Sequence, residues 1–248
     1  MTERTRRYVP AFMISVMLIV IAVVLFTVQV NRHSPDIYLH SELNMKPWGA
    51  EIYSHPFYFL LLKAVSGFSA NIDVVNNAAI VILTLFTWLK MLLVYMVLKA
   101  NVRNTAPIVN DRQLWAVAFF LSIIHAIPVG RYPLMLGYFT ANSWHNSTII
   151  TDIPFALLQF YWASLLLRQY SRRLVYCLSL ATILSVLSKP NFFLCFAPVY
   201  MLLMFCMAGR RFNKRFLLSV LPVIAGSAVM AAAYWLTYSF SPNGGIGI

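Results

Sequence analysis

The stretch VPAFMISVMLIVIAVVLFTVQV, residues 9–30, carries no charge over its whole length and decides the class of this protein. A helix needs roughly 20 apolar residues to cross the hydrocarbon core of a bilayer, and this stretch is long enough. Arg4, Arg6 and Arg7 precede it, in the charge order of a secretory signal. Signal cores have only about 7–15 residues and end at a small-residue cleavage site, which is missing here. We therefore interpret residues 9–30 as a permanent first membrane span.

Six further apolar runs follow, and with the first they predict seven spans. These six runs are Val74–Leu98, Leu114–Val129, Ile153–Leu167, Leu174–Leu187, Phe192–Met207 and Phe216–Tyr238. Another apolar stretch, Pro56–Phe68, is short and contains Lys63, so it predicts an interfacial or re-entrant helix in the first outer loop. The predicted fold class is all-α: a multi-pass transmembrane helical bundle of about seven spans, with residues 1–248 forming a single membrane domain.

The composition excludes a soluble domain. Hydrophobic residues make up 60% of the chain and charged residues only 10%, whereas about a quarter of an ordinary soluble domain is charged. The net charge of +12 could suggest nucleic acid, but the basic residues lie in short clusters between apolar runs, without an interleaved aromatic stripe. Nucleic acid is therefore not expected as a partner, and membrane lipids are. The three cysteines lie inside predicted spans and are interpreted as small apolar packing residues.

The distribution of basic residues predicts the orientation, because short cytoplasmic loops are enriched in Lys and Arg. Alternating seven spans from an inside N-terminus puts four basic clusters on the cytoplasmic face: Arg4/Arg6/Arg7, Lys99/Arg103/Arg112, Arg168/Arg172/Arg173 and Arg210/Arg211/Lys214/Arg215. Most acids fall on the other face: Asp36, Glu42, Glu51, Asp73 and Asp152. The sequence thus predicts an integral membrane protein with a cytoplasmic N-terminus and a working face that is periplasmic, extracellular or lumenal.

The predicted spans contain one charged residue, Lys90, and no buried acid. Lys90 is expected to extend its long stem toward the cytoplasmic headgroups and so to avoid most of the ~2.5–3.5 kcal/mol cost of a midplane charge. Spans three to six are only about 14–16 residues long, shorter than a full crossing. Such helices either extend with polar residues into a wet cavity or thin the membrane locally, unless their true ends lie a few residues beyond the apolar runs.

The first outer loop is dense in polar and aromatic residues for a connection between two spans. Asp36 follows the end of the first span, so the helix should hold its carboxylate near the membrane surface. A carboxylate beside an acceptor hydroxyl can accept its proton during group transfer, which makes Asp36 and Glu51 candidate catalytic residues. Glu42 is interpreted as a solvated charge. His55 is a candidate for substrate binding, and the loop's aromatic residues are interpreted mainly as membrane-interface anchors.

The loop between spans three and four is the second candidate region. Trp144, His145 and Asn146 offer a stacking face for a sugar together with hydrogen-bonding groups, and Asp152 follows them. Arg131 could bind a phosphate through two donors. Lys189, in the tight outer turn between spans five and six, is either a second phosphate-binding cation or an ordinary interfacial lysine.

Several motifs are missing, which limits the classes of enzyme that fit. The sequence has no glycine-rich phosphate loop, no His-x-x-x-His metal spacing and no Gly-x-Ser-x-Gly elbow. A cytoplasmic nucleotide-driven enzyme is therefore not expected, and no metal ligands are assigned. No cofactor is required by this interpretation, and the sequence leaves dependence on a divalent metal undecided.

An acid soon after the first span and the long first outer loop ending in EIYSHPFYFLLL (residues 51–62) resemble the GT-C superfamily of integral-membrane glycosyltransferases. The segments WHNST (144–148) and SKPNF (188–192) are also similar to multi-pass proteins of bacterial surface-polysaccharide assembly, including polymerases. The resemblance implies a seven-span module with a working outer face. It also implies transfer of a sugar from a polyprenyl-phosphate-linked donor to a glycan or lipid acceptor.

The resemblance also implies individual roles. Asp36 would act as the base or orient the acceptor, and Arg131 or Lys189 would bind the donor phosphate. The family's second acid beside this position is missing. Family members also usually continue with further spans or a soluble domain, so the chain could be an N-terminal module or an inactive relative.

Two alternatives from other classes stay open. A transporter or lipid flippase would need ionisable or broken-helix sites near the midplane, often with repeated halves, and neither is visible in the sequence. A non-catalytic membrane subunit of a polysaccharide assembly complex is the other alternative.

Overall fold

The computed structural model describes residues 3–32, 35–46, 50–102, 109–123, 146–207 and 214–239. Over these ranges the chain is helical with short connections and contains no strand, which confirms the all-α prediction for the described part. The helices are α1 (Glu3–Asn31), α2 (Pro35–Met45), α3 (Ala50–Ser54), α4 (Pro56–Val65), α5 (Ile72–Val102), α6 (Asp111–Ile123), α7 (Ser147–Arg168), α8 (Arg172–Ser188), α9 (Asn191–Met207), α10 (Lys214–Ser219) and α11 (Leu221–Ser239).

Four helical stretches in the described part are long and apolar enough to cross a membrane: Val9–Asn31, Ile72–Val102, Ser147–Arg168 and Lys214–Ser239. They support the prediction of a multi-pass membrane protein. Helices α8 and α9 have 17 residues each, which at 1.5 Å per residue rise about 26 Å, less than the ~30 Å hydrocarbon core. The count of seven spans therefore stays a prediction.

The chain divides into two compact units, and the first comprises Met1–Glu42 and Leu62–Pro154. In this unit α1, α5 and α6 pack around Leu18, Met91 and Ala118. The Lys99 ammonium lies 3.6 Å from an Asp111 carboxylate oxygen, which holds the end of α5 and the start of α6 at one level. In lipid such helices associate mainly through close packing, since lipid tails are as apolar as the side chains.

The second unit comprises Leu43–Leu61 and Phe155–Ile248, and in it α11 packs along α8. Gly226 of α11 permits this close approach. A Cβ at Gly226 would lie 2.5 Å from Phe193 Cε2 and 2.8 Å from Thr182 Cγ2, too close for either contact. The buried Gln159 Nε2 donates to Thr182 Oγ1 at 3.0 Å, a polar link between α7 and α8.

The apolar stretch Pro56–Phe68 forms α4, which ends at Val65. Phe68 N–H donates to the Lys63 carbonyl at 2.9 Å and Gly67 N–H to the Ala64 carbonyl at 3.3 Å, a pairing that ends a helix as a Schellman motif. Gly67 has φ +62°, in the left-handed region that glycine enters at no steric cost. The interfacial or re-entrant position of α4 stays a prediction.

The fourth predicted span begins earlier than its apolar run. The run starts at Ile153, whereas α7 begins at Ser147 and adds the polar residues Thr148, Thr151 and Asp152 to the helix. All four polar side chains are buried, including Asp152 at 6% exposure. The prediction that the spans hold no buried acid is therefore wrong for α7. The helix is extended by polar residues, one of the two options that the short runs allowed.

Lys90 does not extend toward the Lys99 end of α5, which the sequence predicts to be cytoplasmic. Its Nζ instead donates to the Ser122 carbonyl of α6 at 3.4 Å. A helical side chain leans toward the N-terminus of its helix, which for α5 is the end away from Lys99. The predicted extension toward the headgroups is wrong, because the side chain leans away from the nearer helix end and finds an acceptor on the neighbouring helix.

Candidate active site

Helix α2 places Asp36 directly after the first apolar helix. It begins at Pro35, a residue whose fixed φ suits the first helical position, and Asp36 lies in its first turn. Ile37 and Ser41, one turn apart, are fully buried, whereas Leu39 is 48% exposed. The helix therefore has a packed face and an exposed face, and the side chain of Asp36 is 31% exposed.

The first turn of α7 is the element against which Asp36 is held. Asn146 caps this helix through its side-chain oxygen, which accepts from Ile149 N–H at 3.0 Å and from the Thr148 hydroxyl at 2.6 Å. The backbone N–H of Ser147 donates to Asp36 Oδ2 at 3.0 Å. Two of the backbone donors that a helix N-terminus leaves unpaired are thus satisfied, one locally and one from α2. A carboxylate at this position also interacts favourably with the α7 dipole.

His40 completes the cluster from the next turn of α2. Residues four apart share a helix face, which brings His40 Nδ1 to 3.9 Å from Asp36 Oδ2. The same nitrogen forms a 2.5 Å hydrogen bond with Ser147 Oγ, whose direction depends on the imidazole tautomer. Asp36, His40 and Ser147 therefore form one hydrogen-bonded group, which we call the α2–α7 cluster.

The α2–α7 cluster leaves one carboxylate oxygen available. Both contacts of Asp36 use Oδ2, and within the described residues Oδ1 accepts no hydrogen bond. Ser147 and Thr148 are buried beneath it, and Thr151 donates to the carbonyls of both. The arrangement thus offers a partly exposed carboxylate beside an imidazole, held through Oδ2, which suits proton acceptance from a bound hydroxyl by Oδ1.

In the second unit, His55 lies at a separate pocket of about 170 Å³. The lining is mostly apolar, with polar groups from a few side chains. The residues that line the pocket are Ser54, His55, Val186, Pro190, Met230, Ala233, Tyr234, Thr237 and Tyr238. The rings of Tyr234 and Tyr238 are 4.3 Å apart. Lys189 immediately precedes Pro190, has extended backbone, and donates its N–H to the Ser185 carbonyl at 2.7 Å.

The structure brings two of the predicted residues into contact with one segment, and the other residues that it describes each belong to one of the two units. Asp36 and Asn146 meet at the start of α7, and Asp152 lies in the second turn of that helix, within the same unit. His55 and Lys189 belong to the second unit, as does Glu51. Glu51 lies in α3, but its side chain is outside the described part. Three more predicted residues lie outside the described residues altogether: Arg131, Trp144 and His145.

Sequence reasoning missed His40 and Ser147. A signal for His40 was present, because an acid and a histidine four residues apart after a proline can share one face of a short helix. Ser147 carried no such signal, since its link to Asp36 joins positions 111 apart. Among the described residues, no three His, Cys, Asp or Glu side chains gather as metal ligands.

Comparison with protein-family models, with curated proteins and with solved structures finds no match to this chain.

Proposed function

We propose that this protein is a membrane glycosyltransferase. It transfers a sugar from a polyprenyl-phosphate-linked donor to a glycan or lipid acceptor on the non-cytoplasmic face. The observation that supports this most is the available Oδ1 of Asp36, on the helix that follows the first apolar helix, with Oδ2 fixed by Ser147. The position of this acid is also the feature that most resembles the GT-C superfamily.

In the proposed reaction Asp36 Oδ1 accepts the proton of the acceptor hydroxyl. The hydroxyl oxygen then forms a bond to the anomeric carbon of the donor sugar, while the bond from that carbon to the phosphate oxygen breaks. Polyprenyl phosphate leaves with the bonding electron pair. A cation at the donor-binding site would stabilise its charge, since fixed cations act most strongly where charge develops in the transition state. His40 acts as a positioning residue that orients Ser147 and the carboxylate.

The proposed topology has seven spans, a cytoplasmic N-terminus, α4 at the interface, and α2 on the periplasmic, extracellular or lumenal side. Two features support it. Each of the seven apolar runs overlaps a helix in the described part. Basic residues mark the ends proposed as cytoplasmic, such as Lys99 in the last turn of α5 and Arg168 in the last turn of α7.

Sugar transfer by the full chain in phosphatidylcholine–phosphatidylglycerol vesicles tests the proposal. The probes are radiolabelled polyprenyl-phosphate-linked hexoses and pentoses, each offered with glycan and lipid acceptors. We expect transfer by the native chain and a loss of at least about 100-fold in Asp36→Asn, the usual scale for a general base. Asparagine keeps an oxygen that can accept the Ser147 N–H, so this variant removes the base and preserves the cap.

Asp73→Asn is the matched control, because Asp73 is also an acid in the first turn of a helix and is exposed. It should transfer within about twofold of the native chain, as expected for a surface change away from the reaction. Equal transfer by Asp36→Asn and the native chain would remove Asp36 from the mechanism. No transfer by the native chain with any donor would reject the glycosyltransferase.

One observation favours a second candidate, a non-catalytic membrane subunit. The hydrogen bond from the Ser147 N–H to Asp36 Oδ2 gives this acid a structural role in capping the N-terminus of α7, and that role requires no substrate. In that case Asp36→Asn would leave the assembly and activity of a partner enzyme unchanged, whereas Asp36→Ala would weaken both by destabilising α7.

A further inference from the structure

Lys90 places a charged side chain deep within an apolar helix. The Lys99–Asp111 ion pair marks one level at the end of α5 and the start of α6. Lys90 lies nine residues before Lys99 and Ser122 lies eleven residues after Asp111, which correspond to rises of about 14 and 17 Å. These two distances, counted along different helices from the same ion pair, agree. Both are about half the thickness of a ~30 Å hydrocarbon core that begins at the ion pair, so the contact between Lys90 and Ser122 lies near the middle of the core.

Among the described residues, the ammonium group of Lys90 finds only part of the partners that it could bind. A protonated lysine has three N–H donors and no acceptor. Within the described residues Lys90 makes a single hydrogen bond, the 3.4 Å contact with the Ser122 carbonyl, and no ion pair. Intramembrane charges ordinarily pair with an opposite charge or with backbone carbonyls, or face a water-filled cavity. The one carbonyl contact of Lys90 uses one of its three donors.

The chain itself offers no carboxylate for this pair. None of the segments outside the described ranges contains Asp or Glu. Glu3 precedes the first apolar run and Glu51 follows it, so neither belongs to a span. Asp73 lies 17 residues before Lys90 on α5, about 26 Å along the helix, and Asp111 pairs with Lys99. The remaining acids in the described part are Asp36, Glu42 and Asp152, and none of them forms an ion pair with Lys90. A second copy of this chain would have the same deficit.

The edge where Lys90 meets α6 is open to an approaching helix. Lys90 is half-buried rather than enclosed. Leu121, the neighbour of Ser122, and Val117, one turn earlier on α6, are each 44% exposed. Exposed apolar side chains therefore lie on α6 beside the residue that accepts the Lys90 hydrogen bond. Lipid tails against this surface would offer the ammonium group no hydrogen-bond acceptor.

We propose that this edge of α5 and α6 is the interface for a transmembrane helix of a partner protein, and that the partner helix carries one Asp or Glu at the depth of Lys90. The carboxylate would accept the remaining ammonium donors, while Val117 and Leu121 pack against the apolar face of the incoming helix. This interface is independent of the α2–α7 cluster and of any transferase activity.

The probe is a synthetic leucine–alanine transmembrane peptide with one central Asp, compared with the same peptide carrying Asn. Fluorescence energy transfer between each peptide and the full chain is measured in phosphatidylcholine vesicles, which contain no anionic lipid. The native chain should bind the Asp peptide about 3- to 20-fold more tightly than the Asn peptide, the range of measured polar contacts between membrane helices. Lys90→Met should bind both peptides equally, and Lys90→Arg should retain the preference.

Lys99→Met is the matched control, because it removes a lysine from the end of the same helix and should leave the preference for Asp intact. Equal binding of the two peptides to the native chain would overturn the proposal, as would a preference that survives in Lys90→Met. Energy transfer between two labelled copies of the native chain would also overturn the proposal if Lys90→Met abolishes that transfer, since the occupant would then be a second copy.

A second experiment tests access of water to Lys90. In a cysteine-free chain, Lys90→Cys should resist a water-soluble thiol reagent. Rapid labelling would instead place Lys90 in a water-filled pathway and overturn the interface.

Discussion

The carboxylate of Asp36 accepts a hydrogen bond from the backbone N–H of Ser147 at 3.0 Å. A residue in the first turn of α2 therefore helps to cap the N-terminus of α7, 111 positions further along the chain. This link fixes one oxygen of the carboxylate, and the other accepts no hydrogen bond from the described residues. It also gives Asp36 two separable contributions, one to stability and one to the proposed chemistry.

Replacing Asp36 should separate these contributions. Asp36→Ala removes the acceptor for the Ser147 N–H and should lower the free energy of unfolding by about 1–2 kcal/mol, the usual cost of losing a cap. Asp36→Asn retains an acceptor oxygen and should lose less than about half of that. Thermal unfolding in detergent, followed by circular dichroism, measures both. If Asn destabilises as much as Ala, the contribution of Asp36 is its charge beside the α7 dipole rather than the hydrogen bond.

Asn146 should prove to be a structural residue. Its side-chain oxygen accepts the N–H of Ile149, so Asn146→Ala should destabilise the protein by about 1 kcal/mol, whereas Asn146→Ser or Asn146→Asp should cost only a few tenths. The same unfolding measurement applies. Sugar transfer by the folded fraction of Asn146→Ala should match the native chain, and a loss of transfer without loss of stability would return Asn146 to the substrate-binding residues.

The apolar runs of the sequence located the helices well, but they located the polar ends of the helices poorly. Long apolar runs indicate helices because burial in lipid requires every backbone group to be paired within the segment. The start of α7 was placed six residues too late, because Ser147, Thr151 and Asp152 are polar and hydropathy counts them as loop. Their burial depends on tertiary packing and on caps, one of which comes from α2.

The candidate site was predicted in part for a similar reason. Asp36 could be named as a candidate from its position after the first apolar run, and its catalytic role stays a prediction. The contributions of His40 and Ser147 could not, since they depend on a contact between distant segments. Lys90 shows the same limit. Its lean toward the start of α5 follows from helix geometry, but its acceptor lies on α6, and no local pattern encodes that neighbour.

Gly226 should be intolerant of even one added methyl group. Alanine would favour the helix by about 1 kcal/mol through its propensity, but its Cβ would lie 2.5 Å from the ring of Phe193, which is 1% exposed and cannot move aside freely. Overpacking of this kind costs about 1–3 kcal/mol, so Gly226→Ala should be destabilised overall. Ala228→Val enlarges an exposed position of the same helix and should leave the unfolding temperature unchanged. A Gly226→Ala variant as stable as the native chain would show that Phe193 of α9 and Thr182 of α8 can give way without cost.

The bond between Gln159 and Thr182 can be measured by a double-mutant cycle. Gln159→Leu and Thr182→Val each remove one partner of a buried 3.0 Å hydrogen bond, and each should lower the free energy of unfolding. The double variant should lose less than the sum of the two, with a coupling of about 0.6 kcal/mol and no more than about 1.7 kcal/mol, the range for polar contacts between membrane helices. Additive losses would mean that the two side chains stabilise their helices separately.

Cysteine labelling of α5 and α10 tests the proposed orientation. In a cysteine-free chain, Asp73→Cys and Lys99→Cys lie at opposite ends of α5, and Lys214→Cys lies at the start of α10. Because basic residues favour the cytoplasmic side, a membrane-impermeant maleimide added to intact cells should label only Asp73→Cys. The two lysine positions should react after permeabilisation. Labelling of both ends of α5 from one side would show that this helix does not span the membrane. Labelling of Lys99→Cys alone would invert the topology and place Asp36 on the cytoplasmic face, where the proposed transfer from a donor on the outer side could not take place.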